Sequence, residues 1–165
     1  MNNTSTSIYQ LANLILLNGW SIFGGYVRDM LAGNEPHDLD IFATAADIPK
    51  LLSMVVSDRY RMTRIRQSTY HPNGWKVEIE ELGEASNILN LDIVNPGISH
   101  RPDVDINRLV LSADGIRVMG GYQRQKHYDF STIHQHIKER VFVPEFACSA
   151  RRKAKLVTFG WTTMR

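Results

Sequence analysis

Residues 20–44 restrict the fold more than any other stretch. Trp20 to Phe23 is a short apolar strand that runs straight into Gly24-Gly25. Paired glycines there call for a turn whose backbone something else approaches closely. Tyr26 to Leu31 reads as a short helix, stopped by Gly33 and Pro36. Asp38 to Thr44 is the next strand, with Leu39, Ile41 and Ala43 on one face and Asp38 and Asp40 on the other.

The flanking segments fill out a mixed fold. Ser5 or Ser7 caps a first helix with Ile8, Leu11, Leu14, Ile15 and Leu17 at helical spacing, ending at Asn18-Gly19. Ala46 to Asp58 is helical. Tyr60–Arg66, Trp75–Leu82 and Ile88–Val94 are strands, the first two joined by a turn at His71-Pro72-Asn73-Gly74. Asp103–Ala113 is extended and turns at Asp114-Gly115 into Ile116–Met119. Phe130–Arg140 and Ser149–Phe159 close the chain as helices. Helices and strands do not alternate regularly enough for a doubly wound parallel sheet, so the class is mixed α/β or α+β.

At 165 residues, 43% hydrophobic and 22% charged, the chain can bury a core without staples. One cysteine, Cys148, excludes a disulfide framework and a cysteine-rich zinc site; a buried structural thiol is expected. The first residues carry no positive charge ahead of the apolar stretch, and the longest apolar run, Leu14 to Leu17, is far too short for a bilayer. The expectation is a cytoplasmic protein with no membrane partner. The net charge of +2 divides unevenly: residues 1–100 carry −4 and residues 101–165 carry +6. An acidic first part and a basic second part fit either a metal or phosphate site that meets a polyanion, or two differently solvated faces.

The chemistry concentrates on few residues. A strand ending in Gly24-Gly25 and opening a helix offers free backbone N–H groups and a helix N-terminus to an anion. Asp38 and Asp40, at i and i+2 on a strand, share a face and can bind one hard cation; alone they also fit a solvated strand edge. Asp92 stands in the apolar run Ile88–Val94, where an acid is costly unless paired or bound to metal. If its strand neighbours that of Asp38 and Asp40, three carboxylates converge. Such a cluster calls for cations, and two Mg²⁺ (or Mn²⁺) about 3.5–4 Å apart are the usual arrangement in nucleotidyl transfer.

The run Gly24-Gly25-Tyr-Val-Arg28-Asp29, then Gly33, then Asp38-Leu-Asp40-Ile resembles the signature of the DNA polymerase β-like nucleotidyltransferase superfamily. It is most similar to the head domain of class II tRNA nucleotidyltransferases (CCA-adding enzymes) and bacterial poly(A) polymerases. The resemblance implies that Gly24 and Gly25 grip a triphosphate, that Asp38 and Asp40 bind divalent metal, and that Arg28 and Asp29 hold the site together. Arg101-Pro-Asp103-Val-Asp-Ile-Asn107-Arg108 is similar to the family's Arg-Arg-Asp-Phe-Thr-Ile-Asn segment. It implies nucleotide contacts for Asp103 and Asn107, with Arg108 as a further phosphate contact. Asp92 falls where such enzymes carry their third acid. The likeness covers roughly residues 20–110, and the family's base-selecting Glu-Asp-x-x-Arg element is absent from this sequence.

The resulting expectation is a polymerase β-like palm, a mixed sheet covered by helices on one side. Residues 1–129 form the catalytic head and 130–165 a basic helical extension packed on the same domain. The activity expected is transfer of NMP from an NTP, ATP or CTP, to a hydroxyl acceptor, chiefly an RNA or tRNA 3′ end, with a partner chain to select the base. The alternatives are a minimal transferase acting on a protein or small molecule, and a non-catalytic nucleotide-binding or partner-binding module. Arg151, Arg152, Lys153 and Lys155, ahead of Trp161, form a candidate nucleic-acid contact or a solvated helix face whose Val157 and Trp161 pack on the sheet. The arginines at 59, 61, 64 and 66 line a substrate groove or an exposed hairpin. His134 and His136 do not share a helix face and make a poor metal pair.

Overall fold

The computed structural model describes residues 3–69, 74–83, 87–96, 102–119, 128–145 and 148–164. Helix α1 (Asn3–Leu17) buries Ile8, Leu11 and Ile15 of the expected stripe together with Ala12, while Leu14 is half-buried and Leu17, in the last turn, is exposed. It begins ahead of the Ser5 or Ser7 start, since nothing in the polar run breaks a helix. Strand β1 (Ser21–Phe23), helix α2 (Gly25–Ala32) and strand β2 (Asp38–Phe42) follow the sequence closely. Gly33, in the left-handed conformation at φ 75°, ends α2 by donating its N–H to the carbonyls of Asp29 and Met30.

The helix expected over Ala46–Asp58 is shorter and comes in two pieces. Thr44 and Asp47 form a capping box around a 3-10 turn, Ala45–Asp47. Helix α3 (Ile48–Val55) then starts with Pro49 in its first turn, where a missing N–H costs nothing. Strands β3 (Tyr60–Gln67), β4 (Trp75–Glu81), β5 (Asn87–Val94), β6 (Leu109–Ser112) and β7 (Gly115–Val118) complete the main sheet. The turn residues His71 to Asn73 lie outside the described residues.

The described strands form a seven-stranded sheet in the order β3-β4-β5-β2-β1-β6-β7. Only β2 and β5 run parallel in it, so the sheet is mixed as expected. One face carries Leu39, Ile41, Val77, Ile79, Leu89, Leu91 and Ile93, packed into a single core with the buried faces of the helices. The opposite face is open at one end, where Asp38, Asp40, Asn90 and Asp92 stand. At its other end a small cluster of Phe23, Val94, Val110 and Met119 is capped by Phe42, stacked on Phe23 at 4.0 Å.

Asp103–Ala113 is not extended throughout. A 3-10 turn, Asp105–Asn107, precedes β6, because the Asp105 side chain is drawn inward to a buried partner and its carbonyl accepts the Arg108 N–H. Helix α4 (Phe130–Glu139) is capped by Asp129 and helix α5 (Ala150–Thr158) by Ser149, each accepting an N–H from the residue three further on. A short parallel pair that the sequence does not announce, β8 (Val141–Phe142) with β9 (Thr162–Thr163), ties these two helices together. Phe142, Leu156 and Trp161 are buried in the same core as the sheet.

Candidate active site

Parallel pairing sets Asp38 opposite Asn90 and Asp40 opposite Asp92. The alternation of β2 sends Leu39 and Ile41 into the core, so both its aspartates project on the open face beside Asp92. Asp40 and Asp92 share a side-chain hydrogen bond, and Asp92 lies 3.7 Å from Lys76 Nζ of the next strand. The expected convergence of three acids is therefore a bonded pair with Asp38 beside it. Among the described residues no three acidic, histidine or cysteine side chains are already gathered as a metal cage.

Electrostatics mark Asp40 as the strained member. Burial raises its pKa well above the carboxylate range, and the charge and hydrogen bond of Asp92 and the charge of Asp38 push it further. Arg152 pulls it back in part. Asp38 is exposed in outline yet crowded, so desolvation and then Asp92 raise it too, against Lys155, a hydrogen bond from Asn90, and His37. A carboxylate whose charged form is disfavoured by burial and by acidic neighbours suits a hard cation, which would relieve the repulsion.

The glycine turn abuts this pair. Phe23 pairs with Asp40, so the chain turns at Gly24 beside the acid. Gly24 adopts φ 74°, ψ −134°, and a Cβ there would stand 3.2 Å from Asp40 Oδ2. Its N–H donates to the Leu109 carbonyl, and its own carbonyl accepts from Val27 and Arg28 to start α2. The first amides of α2 lack intrahelical partners and carry the positive end of its dipole. Glycine at 25 leaves the Arg28 guanidinium close above, 3.3 Å from where a Cβ would be.

Arg28 is the centre of the next layer. It grips Asp29 with Nε and NH2 at 2.8 and 3.2 Å and donates from NH1 to Asn107 Oδ1 at 3.0 Å. Its guanidinium lies 5.7 Å from the ring of Trp161, which also receives Arg140 at 5.7 Å. The sequence singles out Arg28 with Asp29, and Asn107 separately; the fold brings the three together. The sequence does not announce that Trp161, 2% exposed, is their buried support; it is not available for base stacking.

Three other predicted residues stand elsewhere than expected. Arg108 is 1% exposed and paired with Glu145 at 2.7 Å, so it props the 3-10 turn from inside and is not a surface phosphate contact. Asp103 holds Arg152 Nε at 2.7 Å, which takes Arg152 out of the free basic face of α5. Arg151, Lys153 and Lys155 remain exposed there. Asp105, passed over in the sequence, is fully buried: its carboxylate accepts the Val143 N–H at 2.7 Å and lies 2.6 Å from His136 Nδ1. An acid at the centre of an Asp-x-Asp-x-Asn run is the one signal in the sequence that points to it. Cys148 is half-buried, its thiol pushed up by burial and then by Asp103.

On the far side of the acids a cavity of about 230 Å³ is lined by Asp38, Asn90, Asp92, Lys76, Arg64 and Arg66, among others.

No protein-family profile matches the sequence, and no curated protein is significantly similar to it. Solved structures do match. A CCA-adding enzyme in an apo form superposes with a TM-score of 0.58 at 14% identity, over 100% of this chain and 41% of that one. A tRNA-processing enzyme with CTP gives 0.55 at 17% identity, over 89% and 40%. The Bacillus stearothermophilus CCA-adding enzyme in complex with CTP gives 0.53 at 16%, over 99% and 42%. The chain thus spans about two fifths of the length of these structures. At such identities the likeness is one of architecture alone: the chain shares the fold of the matching part of these CCA-adding and tRNA-processing enzyme structures.

Proposed function

We propose that this chain is a metal-dependent nucleotidyltransferase that moves a nucleoside monophosphate from an NTP, ATP or CTP, to a hydroxyl of an RNA or tRNA 3′ end and releases pyrophosphate. The observation that carries this reading is the placement of Gly24 against Asp40, so close that a Cβ there would stand 3.2 Å from Oδ2, which sets an anion-accepting helix start against a carboxylate pair. The shared fold with CTP-bound, tRNA-processing enzymes supports it.

In this reading the first amides of α2, at Gly25 and Tyr26, hold the triphosphate, and Gly24, whose own N–H is given to the Leu109 carbonyl, lets the phosphates approach the turn closely. Arg28, oriented by Asp29, and Asn107 fix the nucleotide against α2, with Asp103 and Arg108 holding the 3-10 turn in place. Asp38, Asp40 and Asp92 hold Mg²⁺ or Mn²⁺, and Asp92 is the carboxylate nearest the acceptor's proton. When bound, the metal polarises the phosphoryl oxygens and lowers the pKa of the attacking hydroxyl. Arg151, Lys153 and Lys155 attract the RNA backbone, and a partner chain selects the base.

The test is incubation with each labelled NTP, Mg²⁺ or Mn²⁺ and a mixed RNA pool, beside the Asp38→Ala/Asp40→Ala double variant. Label on RNA that disappears in the variant is expected. A folded wild-type chain that binds Mg²⁺-nucleotide and transfers nothing overturns the reading in favour of a binding module, and label on protein moves the acceptor to a protein hydroxyl.

A further inference from the structure

We propose that the acceptor is a polynucleotide strand lying across β3 and β4, with its backbone phosphates held by Arg64 and Arg66. This rests on the transferase reading above and adds to it the side from which the acceptor reaches the acids.

Two rows of side chains cross the open face. One runs Asp38, Asn90, Glu78, Arg64; the other runs Asp40, Asp92, Lys76, Arg66. Each begins at an acid on β2 and ends at an arginine on β3, three inter-strand steps or about 14 Å away along the backbone. The Gly24 turn lies on the other flank of β2, at the end of β1. A nucleotide whose phosphates occupy that turn leaves the β4–β3 side for the second substrate. Phosphates held by the arginines there are set back from the reacting hydroxyl, as the last linkages of a strand are.

The arginines reach this face through a local irregularity. On a regular strand Arg61 would share its face with Thr63 and Ile65, and Arg64 and Arg66 would point away. A register shift between Met62 and Arg64 adds a residue and aligns Arg61, Arg64 and Arg66 with Glu80, Glu78 and Lys76. Arg61 is then neutralised by Glu80 at 2.7 Å, and Arg59 by Glu81 at 3.9 Å. Among the described residues Arg64 and Arg66 form no ion pair, and both line the cavity with Asp38 and Asp92. Arg66 also stands directly opposite Lys76, whose charge is already met by Asp92 at 3.7 Å.

The test is binding of a short fluorescent single-stranded RNA to the full chain across a salt series, with Mg²⁺-CTP binding measured in parallel. Arg64→Gln/Arg66→Gln is expected to weaken RNA binding about tenfold at low salt and to flatten the log–log salt slope by about 1.4, about 0.7 for each phosphate left without its arginine. CTP binding stays unchanged, Arg59→Gln behaves as wild type, and Arg64→Lys/Arg66→Lys recovers the slope. RNA binding that ignores the substitutions, or a wild type that does not bind RNA, overturns the proposal and leaves these arginines as protection of an edge strand. Loss of CTP binding in place of RNA binding overturns it by assigning the cavity to the triphosphate. If the wild type transfers no label while RNA binding still depends on Arg64 and Arg66, the transferase reading fails and the polynucleotide site stands.

Discussion

The Cβ that Gly24 lacks would stand 3.2 Å from Asp40 Oδ2. This closeness joins the two halves of the proposed site, the turn that would take phosphate and the acids that would take metal. Gly24 also occupies φ 74°, ψ −134°, a region that side chains rarely adopt. Gly24→Ala should therefore strain the backbone by about 1–3 kcal/mol and push the carboxylate aside. The expected result is a folded protein with a lower Tm and at least tenfold weaker Mg²⁺-CTP binding. Gly115→Ala, at φ 132° on the far hairpin with nothing within 4 Å, should lower Tm and spare nucleotide binding. Calorimetric titration of both variants checks this.

Burial first, then the neighbouring acids, raise the Asp40 pKa well above the usual carboxylate range. An acid whose pKa rises on folding binds more protons folded than unfolded, so its ionisation works against the fold as pH rises. Asp40→Asn should therefore stabilise the metal-free protein near neutral pH. The Tm gain expected is about 2–4 °C, the shift that about 1 kcal/mol produces in a chain of this size. The gain should shrink as pH falls toward the ordinary carboxylate range, where both forms are neutral. Mg²⁺ at ten times its Kd should raise wild-type Tm through about 1.4 kcal/mol of linkage and leave the variant unmoved. Thermal scans across pH, with and without Mg²⁺, read all of this, and transfer should vanish in the variant.

Arg28 uses a planar fork on Asp29 and a third nitrogen on Asn107. Lysine cannot reproduce that geometry. Arg28→Lys should cost about 1–2 kcal/mol and raise KM for the NTP more than it lowers kcat, because α2 loses its tie to the 3-10 turn. A double-mutant cycle between Arg28→Ala and Asn107→Ala should show a coupling of about 0.5–3 kcal/mol, and additivity would contradict the link.

The parts of this site that follow local rules are legible in the sequence. Alternation places Asp38 and Asp40 opposite Leu39 and Ile41, and glycine pairs announce the turn at 24. What escapes is anything set by long-range packing. Nothing local says that Arg108 turns inward to Glu145 or that Asp103 captures Arg152 from α5. The register shift in β3 is equally silent, although the three-residue step from Arg61 to Arg64 hints at it, since neighbours on one strand face should be two apart. Trp161 is buried, as the solvated-face reading of α5 has it, whereas Val157 is exposed; what escapes is its place against Arg28, which depends on β9 pairing with β8, two strands too short to be seen.

Asp105 is the buried residue whose loss should be felt farthest. Its carboxylate is fully enclosed, accepts the Val143 N–H, and sits 2.6 Å from His136 Nδ1. Asp105 also heads the 3-10 turn that presents Asn107 to Arg28. Asp105→Ala strands a buried N–H and a buried histidine together, for an expected loss of about 3–5 kcal/mol. Asp105→Asn can keep the bond to Val143 while weakening the one to His136, for a smaller loss of about 1–3 kcal/mol. Asp103→Ala, which breaks only a half-exposed pair with Arg152, should cost under about 1 kcal/mol. Denaturant titration of the three variants tests the ranking. An Asp105→Ala protein as stable as Asp103→Ala would show that the buried Asp105–His136 contact does not hold the turn.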